Sequence, residues 1–345
     1  CSRLAFYRSC AQFKNARCWC GRFLTHHWFG THGNVFEERV NKNGQSLWLF
    51  GDTFYGNRNG DGSISIQANA TNSAAVTFDK DLAEGVTSIH YLPDDNSPLS
   101  AIPYGISEST SELKLWPGHG VSVGERTYLF YSLVKVTGKG MWDFRHDGQG
   151  LATTADMVIP FTRLKHDGNY RFWNATQPRF GIAVLKSGDW LYIYGRGESK
   201  PYTLKLAKVR ADSVEKLDKY RYFSGTQSDQ PDWSAKPDNA TTIFDGISAE
   251  ASVSFNKYLG KYIMLYSRFF DKDVVVRLAD NPWGPWSNCS IIYKCSTDKT
   301  DANCYAGKEH PQYAKQNGKI IYFTLVDNST FGGTVKLYEA SIEKQ

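Results

Sequence analysis

The sequence predicts an all-β fold, a five-bladed β-propeller. An aromatic-apolar run recurs five times along 345 residues, most copies follow a polar turn, and helical patterning is scarce. Composition agrees: 20 Tyr, 20 Phe and 10 Trp suit strands, and 30 Gly suit the turns between them.

The first copy, Leu47-Trp48-Leu49-Phe50, runs directly into Gly51-Asp52-Thr53. Consecutive apolar residues read as a buried strand, and Gly-Asp marks where the backbone leaves it. The second copy, Tyr128-Leu129-Phe130-Tyr131, follows Val123-Gly124-Glu125. The third, Trp190-Leu191-Tyr192-Ile193-Tyr194, follows Ser187-Gly188-Asp189. The fourth, Tyr262-Ile263-Met264-Leu265-Tyr266, follows Leu259-Gly260, and the last, Ile320-Ile321-Tyr322-Phe323, follows Asn317-Gly318. A turn feeding a β-rich run is a hairpin signal. Outward-looking strands follow most copies, at residues 73–78, 202–207 and 274–279. With about four strands per copy the pattern describes a ring of sheets around one axis. Residues 211–220 are long enough for a helical turn or two, and Asn57-Arg58-Asn59-Gly60-Asp61-Gly62 reads as a hairpin turn. A calcium loop there would need a Glu at the position of Ala68. No Pro/Gly/Ser linker divides the chain, so residues 28–345 are expected as one propeller domain behind a cysteine-bearing extension, 1–27.

Net charge is +5, with Lys and Arg scattered and no basic block, which argues against a nucleic-acid partner. No apolar run approaches the roughly 18–20 residues of a membrane helix. The seven cysteines lie near the two ends: Cys1, Cys10, Cys18 and Cys20, then Cys289, Cys295 and Cys304. Such clusters fit disulfides in an oxidising compartment, with one thiol left over. Cys18-Trp19-Cys20 is too tight for the usual zinc-ligand spacing, and neither metal nor cofactor is expected. Asn-X-Ser/Thr sequons begin at Asn69, Asn174, Asn239, Asn288 and Asn328. Together these features point to a secreted glycoprotein, expected as a monomer.

Several segments resemble one family's motifs: residues 47–54, Leu115-Trp116-Pro117-Gly118-His119-Gly120, residues 281–287, His310-Pro311-Gln312-Tyr313, and the blocks 206–209 and 222–225. Their order, from Trp28 to Ile342, resembles the family filed as domain of unknown function 4185, whose characterised members are microbial endo-D-arabinanases with a five-bladed propeller. The resemblance implies that the Asp of the Gly-Asp-Thr step, here Asp52, hydrolyses the glycan with a second Asp some eighteen residues earlier. At that second position the chain reads Gly30-Thr31-His32-Gly33, with His32 in place of the expected Asp.

Glycosidic hydrolysis generally uses two carboxyls across the scissile bond. Asp52 is the first candidate. Glu250, in Ser248-Ala249-Glu250-Ala251, lies just before a late-blade strand and is the second, ahead of Glu108, Glu112 and Asp143. His32 is a candidate acid or base because imidazole titrates near working pH. His119 and His310 are expected to position substrate, and Arg196 and Arg268, at strand ends, to bind it. Trp116, with Trp28 and Trp142, is a candidate for stacking on sugar faces. The expected partner is a polysaccharide. Two other functions fit the same residues: a lyase using a histidine base on a uronic-acid glycan, and a sugar-binding propeller without activity.

Overall fold

The computed structural model describes residues 11–19, 28–30, 44–58, 64–92, 100–140, 143–268, 273–295, 304–327 and 334–344. They form six antiparallel sheets arranged as five blades in a ring, a five-bladed propeller whose first blade holds two of the sheets. Blade 1 pairs Ser46–Phe50 with Ser73–Thr77, and Ser73–Thr77 with Ile89–Leu92. Past a bend at Gly51-Asp52 its chain continues as Thr53–Arg58, flanked by Trp28–Gly30 and Ile64–Ala70. Arg58 pairs with Ile64, so the Asn57–Gly62 stretch leads into a hairpin connection, most of it outside the described residues.

Blades 2 to 5 run outward from inner strands Leu113–Val123, Arg179–Ser187, Ile247–Asn256 and Cys304–Glu309. The recurring aromatic runs are the second strands, Arg126–Val136, Trp190–Arg196, Lys261–Arg268 and Ile320–Asp327. Each is hydrogen-bonded on both edges and packed on both faces, which is why these runs are continuously apolar rather than alternating. Gly188 turns the blade 3 hairpin with φ 57°, a left-handed conformation glycine adopts without steric cost. Residues 211–220 form two short 3-10 turns, Ala211–Ser213 and Leu217–Lys219.

Among the described residues the apolar core divides into five clusters, each lying mainly at a seam between neighbouring blades. The closing seam joins Trp48, Phe50 and Ala75 of blade 1 to Tyr313, Tyr322 and Leu337 of blade 5. Tyr313 donates to Ser46 Oγ across it at 2.9 Å. Outside blade 5, Ala11–Trp19 pairs with Thr334–Lys344, so the start of the chain completes the last sheet. A disulfide joins Cys295 to Cys304, and Cys289 is free.

Candidate active site

Every inner strand described, in blades 2 to 5, carries a register irregularity: at Pro117/Gly120, Phe180/Ala183, Ile247/Ala251 and Tyr305/Lys308. A bulge lets a strand re-aim side chains, and bulges concentrate beside active sites. The residues at these irregularities, with Asp52 from blade 1, build the candidate site.

The blade 1 bend is fixed by Thr53 Oγ1, which donates to Gly51 O and bonds Ser73 Oγ, both at 2.8 Å. It presents Asp52 to blade 2, where Lys114 and Trp116, two apart on one strand, share a face. Lys114 Nζ donates to Asp52 Oδ2 at 2.8 Å and Trp116 Nε1 to Oδ1 at 3.0 Å. Each carboxylate oxygen thus has its own donor, one of them charged. The Trp116 ring is held edge-on to Phe144, with centroids 5.0 Å apart.

Glu250 has different surroundings. The residue is half-buried as a whole, and protein atoms enclose its carboxyl. Burial pushes its pKa up, with Lys308, Arg196 and Arg179 opposing. Arg179 and Arg196 are paired across the end of blade 3, and Glu198 clasps both: Arg179 Nη2 donates to it at 3.0 Å and Arg196 at 3.0 to 3.2 Å. Burial raises the Glu198 pKa, but the two guanidiniums outweigh it and leave it below the ordinary value. Lys308 is almost fully buried and donates to Gly118 O at 3.3 Å; burial pulls its pKa down to about 8, while Glu250 opposes.

Gly118 meets that ammonium at a point of close approach. A Cβ there would lie 2.7 Å from Gly181 O and 2.8 Å from Phe130 O. The neighbouring His119 is held well below its ordinary pKa by burial and by Lys308, so it is a neutral imidazole at neutral pH. His146 is pulled down to about 3 by burial and then Arg179. Both its ring nitrogens are buried without a hydrogen-bond partner among the described residues. Tyr305 joins the two halves. Burial raises its pKa first, and the charges of Glu250 and Asp52 both add to that rise.

Trp116 is a bonded donor to Asp52, while Glu250 shares the field of Lys308 with His119 and also lies in that of Arg196. Tyr305 lies where the charges of Asp52 and Glu250 both reach it. His310 goes elsewhere. It is 1 % exposed, bonds Thr324 Oγ1 through Nε2 at 2.9 Å and packs on Trp48 in the closing seam. Arg268 stands opposite Ile247 at the end of blade 4, with Asp273 at 3.7 Å and Cys289 Sγ at 4.0 Å. Glu108 is bound by Arg163 and by Gly105 N, and Asp143 accepts from Gly140 N in a turn. His32 and Trp142 lie outside the described residues. Sequence reasoning missed Lys114, His146, Arg179, Glu198, Tyr305 and Lys308. Only Lys114 carried a signal, its two-residue spacing from Trp116. Among the described residues no group of three or more His, Cys, Asp or Glu is arranged to hold a metal ion.

The model of a family described as a domain of unknown function, DUF4185, matches residues 33–340. No protein of curated function matches the chain in sequence. Among solved structures, a candidate hydrolase from Bacteroides ovatus superposes with a TM-score of 0.68 at 16 % identity, covering 91 % of this chain and 86 % of that one. The GH43_1 enzyme from Xanthomonas citri, complexed with xylotriose, gives 0.53 at 13 % identity, covering 95 % and 89 %. An α-L-arabinofuranosidase from Podospora anserina, complexed with cellotriose, gives 0.51 at 11 %, covering 92 % of each chain. At these identities the likeness is one of fold.

Proposed function

The chain belongs to the DUF4185 family, and from that premise we propose that it is a glycoside hydrolase acting on a polysaccharide, with Asp52 and Glu250 as its two carboxyls. The observation that carries this reading is the anchored Asp52 carboxylate, bonded at both oxygens by Lys114 and Trp116 at the end of its strand. The charges of Asp52 and Glu250 both reach Tyr305, which supports the pairing. Glu250, pushed up by burial, is the proton donor to the glycosidic oxygen. Asp52, held at both oxygens by Lys114 and Trp116, serves the anomeric carbon, by direct attack or by deprotonating the attacking water. Either route adds one water per bond cleaved. His119 and Arg196 position the sugar around Glu250, and His32, two residues after Gly30, is a third acid-base group. Gly30 pairs with Thr53, the neighbour of Asp52, which supports that role.

The substrate class best supported is an arabinan-like furanoside polymer. The family resemblance supports it, as does the arabinofuranosidase of similar fold. The disulfide and the exposed asparagines Asn69, Asn174, Asn239 and Asn288 support a secreted protein. A lyase reading finds support in two neutral histidines beside cations, His119 by Lys308 and His146 by Arg179, but a histidine with a pKa of about 3, as His146 has, is a poor proton acceptor. Hydrolysis ranks first.

Mass spectrometry of products from D-arabinan, L-arabinan and uronate-bearing polymers tests the assignment. Fragments carrying one added water are expected. Fragments lacking it would mean elimination, and no fragments with saturable binding would mean a binding module.

A further inference from the structure

Behind the Glu198 clasp, on the outer part of blade 3, lies a cavity of about 510 Å³, within the roughly 300–1,000 Å³ typical of small-molecule sites. Its walls include Glu198, Lys200, Thr203, Lys205, Asp238 and Thr242. Hydroxyls, carboxylates and ammoniums stand there beside Pro178, Pro201, Pro237 and Ala240, a mixed lining that suits a neutral sugar, with hydroxyls for the polar groups and ring faces for the apolar ones. Part of the wall is pre-organised. Lys205 Nζ donates to Ala240 O at 2.9 Å and to Thr242 Oγ1 at 3.0 Å, tying the strand Leu204–Arg210 to the loop that follows Pro237–Asn239.

Glu198 belongs to two places at once. It lines the cavity, and it is the common partner of Arg179 and Arg196, whose charges act on Glu250. The cavity thus shares Glu198 with the arginines whose charges act on the candidate acid.

Building on the hydrolase reading, we propose that this cavity is an outlying sugar-binding subsite that holds the polysaccharide several units from the bond being cleaved. A polymer leaving Glu250 over blade 3 passes the clasp and seats one unit between Thr203 and Thr242. The subsite adds affinity for long chains and leaves the chemistry at the scissile bond untouched.

The test uses Thr242→Trp and Asp238→Trp. Both residues are exposed, so an indole there fills the cavity without disturbing the core. Wild type and variants are compared on arabinan oligosaccharides of increasing length, with thermal unfolding measured alongside. Long oligosaccharides should show KM raised about tenfold, as expected for losing roughly 1.4 kcal/mol. The shortest cleaved oligosaccharide should keep its kcat/KM, and unfolding should be unchanged. An equal effect at every length, or none at any, overturns the subsite while the hydrolase reading stands. If wild type releases no product from any glycan, the hydrolase reading falls, and calorimetric titration of the longest oligosaccharide decides the subsite separately. Binding weakened by Thr242→Trp would uphold it; equal binding, or none to wild type, would reject it.

Discussion

Asp52 in blade 1 and Glu250 in blade 4 carry the same functional group in opposite surroundings. Asp52 sits at a bend, each oxygen bonded by a donor from blade 2. Glu250 has three cations in its field, but no donor among the described residues bonds its carboxyl, and burial outweighs those cations. The contacts thus give Asp52 a charged donor and leave Glu250 without one, its pKa pushed up by burial, an asymmetry of surroundings that suits two carboxyls with different tasks.

The largest test breaks the comparison at Asp52. Asp52→Asn removes the charge facing Lys114 while keeping the side chain's shape; turnover should fall by about 10³-fold or more, with the unfolding temperature little changed. Retained turnover would remove Asp52 from the reaction. Glu250→Gln should cost roughly 10²-fold on a poor leaving group and abolish the high-pH limb of the rate profile, since a proton donor stops working as pH rises through its pKa.

Two subtler variants sharpen the contrast through that limb. Lys308 favours ionised Glu250, so Lys308→Met should raise the Glu250 pKa and move the limb to higher pH. Glu198→Gln leaves Arg179 and Arg196 uncompensated, favours ionised Glu250 and should move the limb to lower pH. Shifts in the same direction would exclude Glu250 as the titrating acid.

The smallest effect concerns a third carboxyl, Glu309, which is buried and accepts from Ser254 Oγ at 2.7 Å. Burial raises its pKa to about 7 from the ordinary 4.5, with the Ser254 bond opposing. The folded state therefore holds a proton that the unfolded chain releases between pH 4.5 and 7. That stabilising contribution is complete below pH 4.5 and is lost as pH rises through 7. Glu309→Gln should flatten this slope and stabilise the protein at pH 8 by up to a few kcal/mol, read from denaturant unfolding at both pH values. An unchanged slope would mean that Glu309 does not titrate there.

Much of the blade pattern was legible in sequence because it depends on short-range periodicity. Trp190-Leu191-Tyr192-Ile193-Tyr194 after Gly188 announces a sandwiched strand in any context. Asp52 was legible because it ends such a strand. The rest of the site was not. Lys308 and Tyr305 occupy an ordinary-looking strand, and Arg179 and Arg196 are separated by a whole hairpin. Their roles depend on bulges that no local pattern marks.

The two histidines of the motif-bearing segments show the limit plainly. His119 and His310 read alike in sequence, yet one lies beside Lys308 and the other is enclosed between Trp48 and Thr324. The sequence by itself determined the five recurring strands and the turns that feed them, since each is set by neighbours a few residues apart. Only the closed ring decided which side chains meet at the axis. Convergence of residues from all five blades is a matter of long-range packing and of charge interactions across seams, and neither is encoded at any single position.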